Sequence, residues 1–346
     1  MDFEKKYGML HTNQKLLIEE LISRDIEVEV LDVDLELIKA KLGEHEELIL
    51  DRDSSIMPYN VSVLVGDKGL TKKILKSNGI SVPIGTTFNL SEESYILDAF
   101  RMYGNPVVIK PVFGSHGYDV YINIDNEKKV KESLEKIKNN RGINTNILVE
   151  EYIEGNEYRV FITKDGEYAA LFREPAHVIG DGIHTIRKLA DIETNKRMNP
   201  RTNALCPILL DKEVDEFLAK QNLSIDDIPE LNNKIYLRAN SNVAMGGLCI
   251  DYTDLVHPSV IENCIKALKS IPGLPYAGID YISKDITKEQ TSNIYSIIEI
   301  NTVPGIHMHM KPAIGKSRNV AKYIVDLMFP ETVVKDFDES KFIGKI

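Results

Sequence analysis

The stretch IIEINTVPGIHMHM, residues 297–310, ends an apolar strand with Glu299 and Asn301 two residues apart and then adds His307 and His309. Residues two apart on a strand point to one face, so a carboxylate and a carboxamide project together. Asp280, in YAGIDYI, holds a similar place near the end of another apolar strand. Three hard oxygen ligands without a thiolate suit Mg²⁺ or Mn²⁺ held jointly with phosphate oxygens. Two such ions clamp a transferring phosphoryl group. Zinc is the rival chemistry, because His307 and His309 would also share a strand face. It needs three or four ligands, and no third soft ligand stands nearby in the sequence; a hydrogen-bonded or substrate-facing histidine is the other reading.

Anion-binding chemistry is signalled in NPVVIKPVFGSHGYDVYI, residues 105–122. Val107 and Ile109 face one way and Val108 and Lys110 the other, so an apolar strand aims an ammonium beyond its tip. Pro111 then opposes continuation in a central strand. Gly114, Ser115, His116 and Gly117 form a small-residue loop whose N–H groups suit phosphate oxygens. An edge-strand lysine followed by a plain hairpin loop fits this stretch equally.

In ILVEEYIEGNEYRVF, residues 147–161, Glu150 and Glu151 are neighbours, so one enters the covered face of the sheet. An unpaired carboxylate there is costly, and a donor is required. An adenine amino group serves, with neighbouring backbone groups at the ring edge and Glu157 accepting from ribose hydroxyls. A solvated acidic hairpin is the competing reading. Arg238 in YLRANSNVAMGG (236–247) precedes Gly246-Gly247, and Arg173 in FREPAHVIGDGIHTIRKLA (172–190) precedes a G-D-G turn. A guanidinium beside a glycine-rich turn suits an anion; a solvated arginine is the ordinary alternative.

These residues need a scaffold, and 346 residues are long enough for two or three lobes. NQKLLIEELISR (13–24) predicts a helix and IEVEVLDV (26–33) a strand, while MPYNVS (57–62) reads as a loop. A helix from Asp67, closed by Gly79, opens a strand–helix–strand–strand–helix pattern running to about 145. NILVEEYI, EYRVFIT and EYAALFRE read as antiparallel strands, the last two joined by an Asp165-Gly166 turn. A last helix is expected near 317–328, then a tail.

With 42 Lys+Arg against 53 Asp+Glu, net −11, a nucleic-acid partner is not expected. No apolar run reaches the ~18 residues of a membrane span, and MDFEKKYGML lacks the apolar core of a signal peptide. A cytoplasmic location follows as an expectation. Cys206, Cys249 and Cys264 form no C-x-x-C, which suits a reducing compartment and a role as core residues.

Taken in order, EYRVFI, PAHVIGDGIHTI, YLRANSNVAMGG, AGIDYI, IIEINTVPGIHMH and GKSRNVAKYIVDLMFP resemble the ATP-grasp superfamily of carboxylate–amine ligases over about 60–332. The nearest matches are the ATP-grasp modules of bifunctional glutathione synthetase and of cyanophycin synthetase. The resemblance implies a mixed α+β/α/β fold with the nucleotide between two α+β lobes, at 61–145 and 146–332. A short α/β lobe (1–60) precedes them and a tail (333–346) follows. It implies that Lys68, Lys110 and the Gly114–Gly117 loop hold the phosphates of ATP. Glu150 and Glu151, with Tyr152 and Ile153, would meet adenine, and Glu157 the ribose.

Asp280, Glu299 and Asn301 would bind Mg²⁺ or Mn²⁺, two ions in all. Arg238, Lys110 and Arg173 would be catalytic, and Arg159, Arg173, Arg238, Asn242, Gly246 and His307 would line the substrate. The implied reaction forms an amide between small amino acids or peptides through an acyl phosphate, releasing ADP and phosphate. Glutathione synthetase proper, and a nucleotide-binding module without turnover, are the alternatives; a homodimer is possible by analogy. Asp119 stands where related loops carry a second glycine.

Overall fold

The structure, a computed structural model, describes residues 3–104, 106–114, 117–198 and 206–333. Two compact units are present: one combines residues up to Ile56 with those from Asn319 onward, the other spans Met57–Arg318. In the first, α1 (Phe3–Tyr7) and α2 (Thr12–Ser23) precede an antiparallel meander of β1 (Glu27–Asp32), β2 (Leu37–Leu42) and β3 (His45–Leu50). Helix α2 buries Leu16, Leu17, Ile18 and Leu21; of the stripe expected from the sequence, Leu16, Leu17, Leu21 and Ile22, the last is exposed and Ile18, one turn before it, takes the buried place.

The second unit begins with α3 (Tyr59–Gly66), where the sequence reading had a loop. Pro58 stands at its N-cap in an extended conformation, and Val61 and Val65, one turn apart, supply the buried side. Helix α4 (Lys68–Ser77) follows; Asp67 caps it by accepting from Leu70 N at 2.8 Å, and Gly79 closes it at φ +70°.

Next come β4 (Gly85–Asn89), α5 (Glu93–Tyr103), β5 (Val107–Pro111), β6 (Tyr121–Ile124), α6 (Glu127–Arg141) and β7 (Asn146–Glu151). Their four strands form an antiparallel sheet in the order β4-β7-β5-β6. Ile96, Phe100, Val107, Ile109, Leu134, Ile147 and Val149 fill its core against α5 and α6. Strand β7, read in the sequence as the start of the lobe at 146–332, belongs to this first sheet. Gly155 lies in the crossing segment and has no room for a side chain: a Cβ would stand 2.7 Å from Ile282 Cγ2.

The second sheet joins β8 (Asn156–Thr163), β9 (Tyr168–Glu174), β12 (Leu248–Asp251), β13 (Tyr276–Ser283) and β14 (Tyr295–Asn301). Its order is β12-β9-β8-β13-β14, antiparallel throughout. The β8–β9 hairpin turns at Asp165-Gly166 as expected, with Gly166 at φ +98°. Helix α9 (Pro258–Lys269) presents Val260, Cys264, Ala267 and Leu268 to this sheet. A small satellite comprises β10 (His177–Ile179), α7 (Ile186–Arg197), α8 (Lys212–Lys220) and β11 (Lys234–Tyr236), with its own apolar core.

After β14 come a one-turn helix, α10 (His307–Met310), and the last helix, α11 (Val320–Met328). Sequence reading put α11 in the lobe at 146–332, but its stripe of Val320, Ala321, Ile324, Val325 and Met328 packs on α2 in the first unit. Arg24, at the end of α2, pairs there with Asp326 at 2.7 Å. Residues 334–346, most of the expected tail, lie outside the described residues. Among the described residues no helix is long and apolar enough to cross a membrane.

Candidate active site

Helix α4 carries Lys68 and Lys72 one turn apart, which places both on one side. Lys68 Nζ donates to Gly114 O at 2.6 Å and lies 3.5 Å from Glu299 Oε1. It thereby touches both the glycine loop and the acidic strand. Lys110, at the tip of β5, sits 2.7 Å from Glu150 Oε1, and Lys72 takes Glu150 Oε2. The β5–β7 register pairs Val108 with Glu150 and Lys110 with Leu148, so Lys110 and Glu150 share a face. All three charged groups are buried.

Burial raises the carboxylate's cost of ionising, but Lys110 and Lys72 outweigh it and hold the Glu150 pKa below its usual value. Burial pulls the Lys72 ammonium down to about 7. It also opposes charge on Lys110, where Glu150 and Glu299 prevail and raise the pKa.

From the sequence, an adenine amino group is the expected donor to the buried glutamate. The protein supplies the donors itself, and Lys72, a residue outside the expected site, is one of them. The Lys68/Lys72 spacing was the available signal. Glu151, the other glutamate of the pair, turns outward and accepts from Ile84 N at 2.9 Å, while Tyr152 N donates to Pro106 O at 3.1 Å. Tyr152 and Ile153 are half-buried.

Gly114 (φ +145°) and Gly117 (φ +74°) hold backbone conformations that favour glycine; Ser115 and His116 lie outside the described residues. Asp119 adopts φ +61° despite its side chain. Its carboxylate accepts from Asn140 Nδ2 at 2.7 Å and from Arg141 Nε at 2.5 Å, which fastens the loop's far end to the C-terminus of α6. The space beside Gly117 leads to Asn242 Nδ2, 3.7 Å from where a Cβ would lie, so two segments singled out separately in the sequence meet.

On the second sheet Asp280 is the cross-strand partner of Glu299, and Asn301 of Gly278. Ile298 is the extra residue of a bulge at that point, a feature that re-aims side chains next to functional sites. Arg159 Nε lies 2.5 Å from Asp280 Oδ1, and its Nη2 donates to Oδ2 at 3.2 Å. Arg173 Nη1 donates to Glu157 Oε1 at 2.6 Å and lies 3.6 Å from Asp280 Oδ1. Burial works against the Arg173 charge, and Glu157 and Asp280 more than restore it, raising its pKa. Glu157, expected to meet ribose, accepts from Ser241 Oγ with its other oxygen.

The donor set fits a hard divalent cation. Asp280 Oδ1 is buried and receives no aligned hydrogen bond despite its arginine neighbours. Asn301 spends its nitrogen on Gly278 O at 3.4 Å, and its oxygen is the atom that ligates such ions. Among the described residues no group of three or more His, Cys, Asp or Glu is disposed to hold a metal. Two carboxylates and an amide therefore need further oxygens from outside the protein.

The histidine pair does not form the zinc alternative. His307 and His309 stand on a helix, where residues two apart diverge by about 200°. His309 is fully buried against Phe161, neither ring nitrogen has a hydrogen-bond partner, and burial lowers its pKa to about 3. His307 remains half-exposed.

Arg238 follows β11 and is almost fully buried. Its guanidinium bonds Asp211 Oδ2 at 2.7 Å, Glu213 Oε2 at 2.7 Å and Leu209 O at 2.9 Å. The solvated-arginine reading is thus overturned, and two acids the sequence argument did not name hold the group. Asn242 Oδ1 caps a short turn by accepting from Ala244 N at 3.0 Å. Gly246 answers a packing need: at φ +100°, a Cβ would stand 2.7 Å from Ile208 Cα, and its carbonyl accepts from Arg197 Nη1 at 2.8 Å.

Residues 65–305 match the family model described as "ATP-grasp domain". The chain is 37% identical over 298 residues to cyanophycin synthetase of Crocosphaera subtropica, covering 85% of this chain and 34% of that protein. It is 31% identical over 345 residues to the glutathione biosynthesis bifunctional protein of Enterococcus faecalis, covering 96% and 45%. The crystal structure of a bifunctional glutathione synthetase from Pasteurella multocida superposes with a TM-score of 0.69 at 29% identity, over 93% of this chain and 44% of that one. The chain thus spans less than half the length of these relatives. With the matched segment running from α4 through β14 and holding both charged clusters, the chain belongs to the ATP-grasp family.

Proposed function

We propose that this chain is an ATP-dependent ligase that joins the carboxylate of one small amino acid or peptide to the amine of another. The observation that carries the reading is Lys68, whose ammonium bridges the carbonyl of Gly114 and the carboxylate of Glu299. A triphosphate placed there meets lysines on one side and hard oxygen ligands on the other. Lys68, Lys110 and the N–H groups of the glycine loop bind the phosphates. The backbone of 151–153 borders adenine, and Glu157 exchanges its arginine and serine partners for the ribose. Asp280, Glu299 and Asn301 hold Mg²⁺ or Mn²⁺, which neutralises charge on the transferring phosphoryl group.

A substrate carboxylate oxygen attacks the γ-phosphorus and the bond to the β-phosphate oxygen breaks, giving an acyl phosphate and ADP. An amine nitrogen then attacks the acyl carbon; the carbon–oxygen bond to phosphate breaks and the amine loses a proton. The protein's contribution is positioning and charge neutralisation. Arg238 approaches the γ-phosphate and acyl phosphate, while Arg159, Arg173, Asn242 and His307 border the substrates.

The two relatives above differ in what their names say they make, so the assay must leave the substrate open. ADP release is measured with Mg²⁺ against pooled amino acids and dipeptides, with γ-glutamylcysteine plus glycine as a separate arm. Release that needs one acid and one amine supports the ligase, and release in the separate arm supports glutathione synthesis. Nucleotide binding without release in any pool overturns turnover and leaves a binding module.

A further inference from the structure

The buried trio holds two ammonium groups against one carboxylate, an arrangement that a phosphate-binding lysine does not need for itself. Lys110 and Glu150 alone, 2.7 Å apart, would make a closed neutral pair. Such a pair has no net charge left to attract an anion, and a lysine already matched to a buried glutamate is a weak phosphate ligand. Lys72 changes this by occupying the second oxygen of Glu150 from the facing helix. The other charges near the trio are Lys68 on the same helix and Glu299 on β14, which already face each other at 3.5 Å.

We propose that Lys72 is a positioning residue that supplies the counter-charge of Glu150 and so frees the Lys110 ammonium for an anionic ligand, the phosphates of a nucleotide. The inference rests on the nucleotide reading of the site and adds a residue that neither the family resemblance nor the sequence argument assigned. Its geometry explains why the trio tolerates an excess positive charge in a buried place: the missing anion belongs to the ligand.

The test compares binding of ATP with binding of adenosine, which shares the base and ribose and lacks the phosphates. The readout is the ratio of the two affinities in the wild type, Lys72→Met, Lys72→Arg and the double variant Lys72→Met with Glu150→Gln. We expect the ratio to fall about tenfold in Lys72→Met (about 1.4 kcal/mol), to hold in Lys72→Arg, and to recover in the double variant, where no carboxylate remains to capture Lys110.

A merely structural role for Lys72 weakens both ligands together and leaves the ratio unchanged, which overturns the proposal. Failure of the double variant to recover the ratio overturns it too. Should Lys72→Met not fold, the milder Lys72→Gln, which keeps a polar side chain without the charge, takes its place: a ratio that falls there and holds in Lys72→Arg supports the proposal, and an unchanged ratio in Lys72→Gln overturns it. A wild type that binds neither ligand sinks the nucleotide reading itself, and this inference with it.

Discussion

Two lysines share one carboxylate beside the first sheet, whereas on the second sheet two arginines share two carboxylates. The lysine cluster is therefore short of an anion and the arginine cluster is balanced within itself. Lysine is a compact point charge, and arginine a fork that spans neighbouring acids. The first arrangement waits for a ligand's negative charge. In the second, Arg159 and Arg173 neutralise Asp280, and a cation bound there must loosen those ion pairs. Lys68, touching Gly114 and Glu299, links the two.

The contrast breaks most sharply at Glu150. Glu150→Ala leaves two buried ammonium groups facing each other, and we expect a loss of about 3–5 kcal/mol in urea unfolding. A midpoint close to wild type would mean that the trio carries no such burden. On the other sheet Glu299→Gln keeps the shape and removes the charge. Turnover should drop by at least about 100-fold with the unfolding midpoint retained; near-normal ADP release removes this carboxylate from its role.

His309 gives a smaller effect with a defined sign. Its folded-state pKa lies near 3, below the ordinary value of about 6.5, so the unfolded chain binds the extra proton first. Stability is fully present above about pH 6.5 and declines as pH falls toward 3, by up to about 1.4 kcal/mol per pH unit. At pH 5 the wild type should have lost about 2 kcal/mol relative to His309→Leu, each referred to its own value at pH 7. Parallel losses in urea titrations of the two proteins would contradict the buried neutral imidazole.

The smallest effect concerns the loop between the clusters. Asp119→Gly restores the glycine expected there and cuts the ion pair to Arg141, which is about a third exposed. KM for ATP should shift by about two- to fivefold; a larger change would assign Asp119 a direct role in binding.

Where local spacing carries the information, the sequence was a sufficient guide. Alternation put Lys110 on the face opposite Ile109, an Asp-Gly pair fixed the β8–β9 hairpin, and two-residue spacing set Glu299 and Asn301 together on β14. The start of α4 at Asp67 and its close at Gly79 were likewise written in neighbouring residues. The motifs in order also sufficed to identify the family. Misreadings arose where one period stood in for another: treating 307–309 as strand made a histidine pair of two side chains that a helix sends apart.

Partnerships between distant residues were decided by the tertiary structure. Glu150 meets Lys72 across 78 positions, Glu157 meets Ser241 across 84, and Arg238 meets Asp211 across 27. Which sheet claims β7, and which unit claims α11, was settled in the same way, by the surface each could bury. The physical reason is that a residue's type and its neighbours fix the charge it carries and the face it points to. How a buried charge is neutralised depends on which other groups the fold brings within hydrogen-bonding reach, and chain spacing places no limit on that.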